Sequence, residues 1–230
     1  MNKIVAISLF SGAGGLDIAS HMAGVPVIFS TDIEKDCIET LQSNKKYFKN
    51  TTIIQGDLSK ISSNIIRDKI MQYEFDKFIV IGGAPCQPFS KAGYWVGHET
   101  RKGINDPRAF LVDEYLRVVL ELSPDGFVFE NVESLLHPTN KVIVDSFIKL
   151  IQEAGYNYKI IRANALDYGV PQKRKRLFIV GIKGDFISEA PRKTHGNPDS
   201  LQEGLLPYVS VGNVLAPYSG DEYFEPYEVT

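Results

Sequence analysis

Residues 3–10 (KIVAISLF) are apolar at nearly every position, the pattern of a strand covered on both faces, and the run stops at Ser11-Gly12-Ala13-Gly14-Gly15. Over 16–23 the side chains Leu16, Ile18, Ala19 and Met22 recur at helical spacing. The alternation continues, with strands expected at 26–31, 51–54 and 77–81 and helices at 33–44 and roughly 59–73. Residues 108–122 read as a helix with Pro107 as its first residue and Asp106 as its cap. A fifth strand at 125–129 precedes a helix at 141–154, which Gly155 ends. Strands at 158–163 and 176–182 close the series, and the turn between them is too short for a helix, which predicts an antiparallel pair. The pattern predicts an α/β fold, a doubly wound, mostly parallel seven-stranded sheet of Rossmann-like type with an antiparallel last strand. Ligands of such sheets bind beyond the carboxyl ends of the strands, so the residues that follow each strand carry the interest.

Composition narrows the class. The chain has 230 residues, 43% apolar, with 25 Lys and Arg against 28 Asp and Glu, a net charge of −3. Thirteen Phe and 11 Tyr among many Ile, Val and Leu exclude disorder as the dominant state. Two cysteines, Cys37 and Cys86, make no disulfide framework and favour a reducing compartment. The start MNKIVAISLFSG has no small-residue cleavage site, and no apolar run reaches the roughly 20 residues of a membrane span, so a cytoplasmic protein is expected. Residues 1–182 form the α/β domain; 183–230, rich in Gly and Pro and without periodicity, read as a connector toward something further. The mild acidity gives no general footprint for nucleic acid, so that function has to be argued locally.

The glycine loop lies between a strand and a helix, where glycines admit close backbone approach and the helix start offers free N–H groups. A dinucleotide fingerprint requires glycine at 17, but Asp17 stands there, and a carboxylate beside a pyrophosphate is repelled. Asp32 follows the second strand, where a carboxylate binds ribose hydroxyls, and Asp57 follows the third, where one can accept from an amino group such as that of adenine. The loop alone also fits an ordinary tight turn; with both carboxylates it points to an adenosine-containing ligand.

Gly82-Gly83-Ala84-Pro85-Cys86-Gln87-Pro88-Phe89-Ser90 holds a cysteine between prolines at the same edge of the sheet. Cys37, on the apolar side of a helix, reads as structural. No second cysteine stands near Cys86, and His21, His98, His137 and His195 are scattered, so no metal site is expected. Nor is there local sign of a Cys–His pair, which leaves a nucleophile beside a different acid. Glu130 ends the fifth strand, and the apolar strand beside it favours the protonated form that a proton donor at neutral pH requires; the plainer reading is a cap or a solvated side chain. In Gln172-Lys173-Arg174-Lys175-Arg176, Gln172, Arg174 and Arg176 share one face at period two. Lys91, Arg101, Lys102 and Arg108 add local positive charge, although a solvated strand entry explains a charge run equally well.

Taken together, these blocks resemble the DNA cytosine-C5 methyltransferases of bacterial restriction-modification systems. The matching stretches are LFSGAGGLD (9–17), TDIEKD (31–36), GDL (56–58), GAPCQPFS (83–90), NDPRAFL (105–111), FENV (129–132) and QKRKR (172–176), in the family's order and spacing. The resemblance implies an S-adenosylmethionine-dependent methyltransferase fold and a cofactor pocket lined by Phe10, Ser11, Gly12, Gly14, Gly15 and Leu16, by Asp32 and Ile33, by Asp57 and Leu58, and by Gly83 and Pro85. It implies that Pro85-Cys86 supplies the nucleophile for C6 of a cytosine flipped out of duplex DNA, that Glu130 protonates N3, that Arg174 and Arg176 hold the base, and that Asn131 structures the turn. S-adenosylhomocysteine is then the product, no metal takes part, and the loop 91–105 closes over the base. Next to a sulfonium, Asp17 is no obstacle.

Members of this family usually continue with a target recognition domain and two further blocks, none of which is recognisable by Thr230. The expectation is therefore the catalytic part of a longer or split enzyme, with recognition supplied by the missing segment or by a second polypeptide. The competing readings are a tRNA cytosine-C5 methyltransferase, a cofactor-binding subunit that is inactive without a partner, and a nicotinamide oxidoreductase. Intact Cys86, Glu130 and Arg174 speak against the second of these, and Asp17 against the third.

Overall fold

The computed structural model describes residues 3–85, 110–185 and 189–218. Ile4–Leu9 (β1) is buried from its second residue onward, as its unbroken apolar sequence requires. It pairs in parallel with Val27–Asp32 (β2) on one side and Lys77–Gly82 (β4) on the other. Thr52–Gln55 (β3) lies parallel to β2, and Gly126–Asn131 (β5) lies parallel to β4. Tyr156–Asn164 (β6) and Lys175–Lys183 (β7) complete a seven-stranded sheet of order β3-β2-β1-β4-β5-β7-β6. β7 runs antiparallel to β5, from Asn131↔Leu177 to Gly126↔Ile182. The doubly wound, mostly parallel sheet with an antiparallel last strand is thus the observed architecture.

The helices are Gly15–Met22 (α1), Lys35–Ser43 (α2), Lys45–Phe48 (α3), Ser63–Ile70 (α4), Phe110–Leu122 (α5), Lys141–Glu153 (α6) and Val211–Leu215 (α7). α5 buries Val112, Tyr115, Leu116, Val118, Val119 and Leu122. Tyr115 packs at 4.8 Å between ring centroids on Phe129, which lies 5.2 Å from Phe147 of α6. The Tyr115 hydroxyl, whose burial pushes its pKa up, donates to the Val80 carbonyl at 3.1 Å. An aromatic wedge thus fastens α5 to β4 and β5 beside the segment that leads to Cys86.

Local caps move three expected boundaries. The helix expected from 33 starts at Lys35, because Asp32 Oδ1 accepts the Glu34 N–H at 2.9 Å and holds an Asx turn there. The helix expected over 59–73 is cut in two. Asp57 caps a 3-10 turn at Leu58–Lys60, and Ser62 then caps α4 by accepting from Asn64. α3 packs Phe48 with Leu41 and Ile38 in a cluster of its own, and its four residues carry no sequence period that would reveal it. The start of the helix at 108, with Asp106 and Pro107, lies outside the described residues.

The chain divides into two compact units, Met1–Ile161 with Leu177–Ser188, and Arg162–Arg176 with Glu189–Thr230. Within the second, His195–Gly196 (β8) pairs in parallel with Leu206–Pro207 (β9). Asp167 is buried there; it accepts from Tyr208 at 3.2 Å and pairs with Lys193 at 2.9 Å, a contact that raises the Lys193 pKa. Gly169, at φ +84°, leaves space that the His195 ring fills.

Candidate functional site

The parallel register sets Leu9 beside Thr31 and Gly82, and Gly82 beside Phe129, so the chain leaves β1, β2, β4 and β5 at one edge of the sheet. Phe10, Asp32, Gly83 and Glu130 stand along that edge. Phe10 takes a left-handed φ of 52°, a strain of order 1–2 kcal/mol in a non-glycine residue. The strain turns the chain sharply into the glycine loop. Gly12, at φ +54°, has no atom within 4 Å of where a Cβ would lie, and its N–H donates to Asp32 Oδ2 at 2.8 Å. Asp32 thereby ties the glycine loop to the start of the β2–α2 turn.

The loop residues divide by role. Ser11 is buried, and its hydroxyl hydrogen-bonds Ser8 Oγ at 2.9 Å. Gly14, at φ +82°, faces inward, since a Cβ there would lie 2.7 Å from Leu41 and 2.8 Å from Phe48. Leu16 packs against Ala6, Val27 and Ile81, and Leu58 is buried in the main core. Leu16 is only partly buried, whereas at Leu58 only the backbone is left for a ligand. Gly15 faces open space, and Ile33 is 58% exposed. Asp57 Oδ1 accepts from the Ser59 N–H at 3.0 Å and from the Ser59 hydroxyl at 2.7 Å, and the hydroxyl bond holds the Asp57 pKa below the ordinary value. Its Oδ2 has Lys60 at 3.6 Å. Thr31 Oγ1, buried next to Asp32, has no hydrogen-bond partner among the described residues.

Asp17 corrects one step of the sequence argument. It is 0% exposed, turned beneath the sheet, and accepts from Ser8 and Ser30, each at 2.8 Å. Burial raises its pKa against the lowering effect of the two hydroxyls. The carboxylate therefore does not face a ligand of the loop, neither to repel a pyrophosphate nor to attract a sulfonium. Its work is to fasten α1 to β1 and β2, whose Ser8 and Ser30 stand in register.

The segment toward the cysteine is shaped by two glycines that do different things. A Cβ on Gly82 would lie 2.3 Å from the Leu9 carbonyl oxygen, so no side chain fits between β4 and β1. At Gly83 a Cβ would lie 2.7 Å from Glu130 Oε2, so the space that Gly83 leaves open belongs to the Glu130 carboxylate. Asn131 is buried; it donates from Nδ2 to the Ala84 carbonyl at 3.2 Å and accepts from the Val132 N–H at 2.9 Å. The peptide before Pro85 is thereby fixed to the end of β5, and Pro85 is exposed. Cys86 and the loop 91–105 lie outside the described residues.

In the second unit, the Arg174 N–H donates to Asn164 Oδ1 at 3.0 Å, and Arg174 is exposed. Arg176 is half-buried and donates from a guanidinium N–H to the Lys175 carbonyl at 2.8 Å. Among the described residues no group of three or more His, Cys, Asp or Glu is placed to hold a metal ion, and no helix is long and apolar enough to cross a membrane. A surface depression of about 420 Å³ lined by Lys3, Tyr73, Phe75 and Asp76 lies by the opposite ends of β1 and β4, away from the edge that carries Phe10, Asp32, Gly83 and Glu130.

The family model for C-5 cytosine-specific DNA methylases matches residues 4–217. This chain belongs to that family. The chain is 35% identical to the Type II methyltransferase M.SacI of Streptomyces achromogenes over 94% of its length and 58% of the relative's. It is 38% identical to the Type II methyltransferase M.AquIA of Picosynechococcus over 92% of its length and 84% of the relative's. M.SacI and other curated relatives, such as M.FnuDI of Fusobacterium nucleatum, are matched over about half their length. Among solved structures, a protein described as a DNA modification methyltransferase encoded within an E. coli prophage superposes with a TM-score of 0.69 at 27% identity, over 92% of this chain and 54% of the other. The Entamoeba histolytica methyltransferase EhMeth shares the fold, with a TM-score of 0.63 at 23% identity over 84% of this chain and 57% of its own.

One residue that sequence reasoning passes over is Arg117 of α5, half-buried against the turn that Asp57 caps. The available signal was its spacing, with Glu114 three residues before and Glu121 four after.

Proposed function

We propose that this chain is the cofactor-binding and catalytic part of a DNA (cytosine-5-)-methyltransferase of a restriction-modification system, acting in the cytoplasm on duplex DNA. Family membership over residues 4–217 carries the proposal. The cluster of Gly12, Asp32, Asp57 and Glu130 at one sheet edge supports it. Those residues fit an adenosine cofactor. Gly12 leaves open space, Asp32 and Asp57 are carboxylates with lone pairs to spare, and the Thr31 hydroxyl is a buried group without a partner among the described residues. S-adenosylmethionine, when bound, supplies an electrophilic methyl carbon for C5 and is converted to S-adenosylhomocysteine.

In this reading the Cys86 thiolate adds to C6 of the flipped cytosine while the Glu130 carboxyl hydrogen-bonds N3 and delivers a proton there. Neither act alone makes C5 nucleophilic enough. C5 takes the methyl group, its proton then passes to a solvent base as the Cys86 sulfur departs as thiolate, and N3 returns its proton to Glu130, which restores the neutral aromatic ring. Asn131 holds the Ala84 carbonyl and so fixes the approach to Pro85 and Cys86. Arg174 and Arg176 grip the base and favour the thiolate by their charge. Residues 1–182 carry this chemistry, and 183–230 lead toward target recognition, supplied by further sequence or by a second polypeptide.

The test is transfer of labelled methyl from S-adenosylmethionine to unmethylated duplex DNA, with Cys86→Ser as control. Label on cytosine C5 that disappears in the variant while S-adenosylhomocysteine still binds is the expected result, with the recognition polypeptide added back if the chain alone is silent. Label on tRNA but not on DNA, or turnover retained by Cys86→Ser, overturns the reading.

A further inference from the structure

The guanidinium of Arg117 uses all five of its N–H groups. Nε donates to Glu114 at 2.8 Å, and one terminal nitrogen donates to the Ser63 hydroxyl at 3.0 Å and to Glu121 at 3.1 Å. The other terminal nitrogen donates to two backbone carbonyls, Leu58 at 3.0 Å and Ile61 at 3.1 Å. Those carbonyls bracket the 3-10 turn Leu58–Lys60, and the residue that caps this turn is Asp57. Glu114 is buried, and Arg117 is the cation that pairs with it. A fork rigid in this way fixes the turn at both ends, which a flexible ammonium cannot do. Leu58 and Ile61 are buried in the main core, whereas Ser59 and Lys60 are exposed, so the fork acts on the backbone between two anchored side chains.

We propose that Arg117 is a positioning residue for adenosine recognition, clamping the Leu58–Ile61 backbone so that Asp57 presents a carboxylate oxygen at a fixed place at the sheet edge. This rests on the reading of Asp57 as the carboxylate that faces the adenine amino group. Asp57 Oδ1 is held by Ser59, so the direction of Oδ2 follows the orientation of the whole turn, and that orientation is what Arg117 sets. The same helix, α5, is fastened to β4 and β5 by Tyr115, so the clamp joins the adenine side of the site to the strand ends that carry Gly83 and Glu130. A purely structural Arg117 would change stability without changing which base the protein prefers.

The experiment uses the full chain, Arg117→Lys and Asp57→Asn, and two ligands, S-adenosylhomocysteine and S-inosylhomocysteine, in which an oxo group replaces the adenine amino group. The wild type should prefer the adenosyl ligand by about tenfold to a hundredfold, the range of a hydrogen bond to a charged group. Asp57→Asn should lose most of that preference. Arg117→Lys, which keeps the charge opposite Glu114 and Glu121, should fold and lose preference in the same direction. In the unliganded protein, amide exchange at Lys60 and Ile61, whose N–H groups bond Asp57 and Leu58 within the turn, should quicken in Arg117→Lys while the core of α5 stays protected. If Asp57→Asn loses the preference and Arg117→Lys keeps it, the positioning role is overturned and the reading of Asp57 stands. If the wild type has no preference, the reading of Asp57 falls, and unchanged exchange at Lys60 and Ile61 then removes the clamp as well. Should Arg117→Lys fail to fold, Glu114→Gln, which frees one arm of the fork, must shift both readouts the same way or the proposal is wrong.

Discussion

Gly12 and Gly14 both take left-handed φ angles, +54° and +82°, yet their surroundings differ completely. Replacing either by alanine incurs the left-handed strain, about 1–2 kcal/mol, less the roughly 0.4–1 kcal/mol gained by stiffening the unfolded chain. Those contributions are shared and cancel in the comparison. What remains is steric. At Gly12 the new methyl meets nothing within 4 Å, whereas at Gly14 it lies 2.7 Å from Leu41 Cδ2 and 2.8 Å from Phe48 Cζ, both in the packed cluster beneath α2 and α3. Overpacking of that kind costs about 1–3 kcal/mol. In a chain of this size each kcal/mol moves the melting midpoint by about 2–4 °C, so Gly14→Ala should melt roughly 2–12 °C below Gly12→Ala. Thermal melts followed by circular dichroism read this directly. The second arm is affinity for S-adenosylhomocysteine. Gly12→Ala fills the open space and should bind weakly while losing only the few degrees of melting point that the backbone strain costs, and folded Gly14→Ala should bind almost normally. Equal melting points for the two variants would refute the assignment of Gly14 to the core and return it to the ligand face.

Two other substitutions carry comparable information. Gly83→Ala forces Glu130 Oε2 back from 2.7 Å toward ordinary contact, and if Glu130 has the general-acid role proposed above, a displacement of a fraction of an ångström should lower kcat by about tenfold to a hundredfold. The KM for S-adenosylmethionine should hardly change; a raised KM with normal kcat would mean that Gly83 serves the cofactor. Asp17 has its pKa raised by burial above the ordinary value of 3.8, so the folded state holds this proton more tightly than the unfolded one. Its contribution to stability is full below about pH 3.8 and diminishes as pH rises through the folded pKa. Asp17→Asn removes that titration, and its melting point minus that of wild type should rise across the same window and then level off; a difference that falls with rising pH contradicts the account.

The fold was legible because its signal is local and repeated. KIVAISLF and KFIVI can hardly be anything but buried strands, and once the strands are ordered, Asp32, Asp57, Gly83 and Glu130 fall at their carboxyl ends by counting. What escaped depends on register or on capping. Asp17 looks like a loop carboxylate until β1 and β2 are aligned. Only the pairing Ser8↔Ser30 brings together two hydroxyls able to satisfy it, although a serine inside each of two apolar strands was the available hint. The break in the helix expected at 59–73 comes from two side-chain oxygens, on Asp57 and Ser62, that compete with helical hydrogen bonds. Arg117 was invisible as a clamp because its carbonyl partners, Leu58 and Ile61, lie 59 and 56 residues away in sequence.

In the proposed site the carboxylates at the sheet edge have two duties, and the division explains how such a site can be formed before any ligand arrives. Asp32 holds the Gly12 and Glu34 N–H groups, and Asp57 holds the backbone and hydroxyl of Ser59. Each carboxylate is therefore oriented by its own backbone, with lone pairs remaining, instead of waiting for a ligand to orient it. A hydroxyl or amino group that reaches these oxygens does not have to order the side chain that receives it, which removes part of the entropic cost of binding. The same economy holds on the side proposed for catalysis, where Asn131 fixes the Ala84 carbonyl and the absence of a side chain at Gly83 leaves a seat for Glu130. Binding and chemistry then depend on a few short turns, each pinned by one polar side chain. Substitutions in those turns should therefore change affinity or turnover well before they unfold the sheet beneath them.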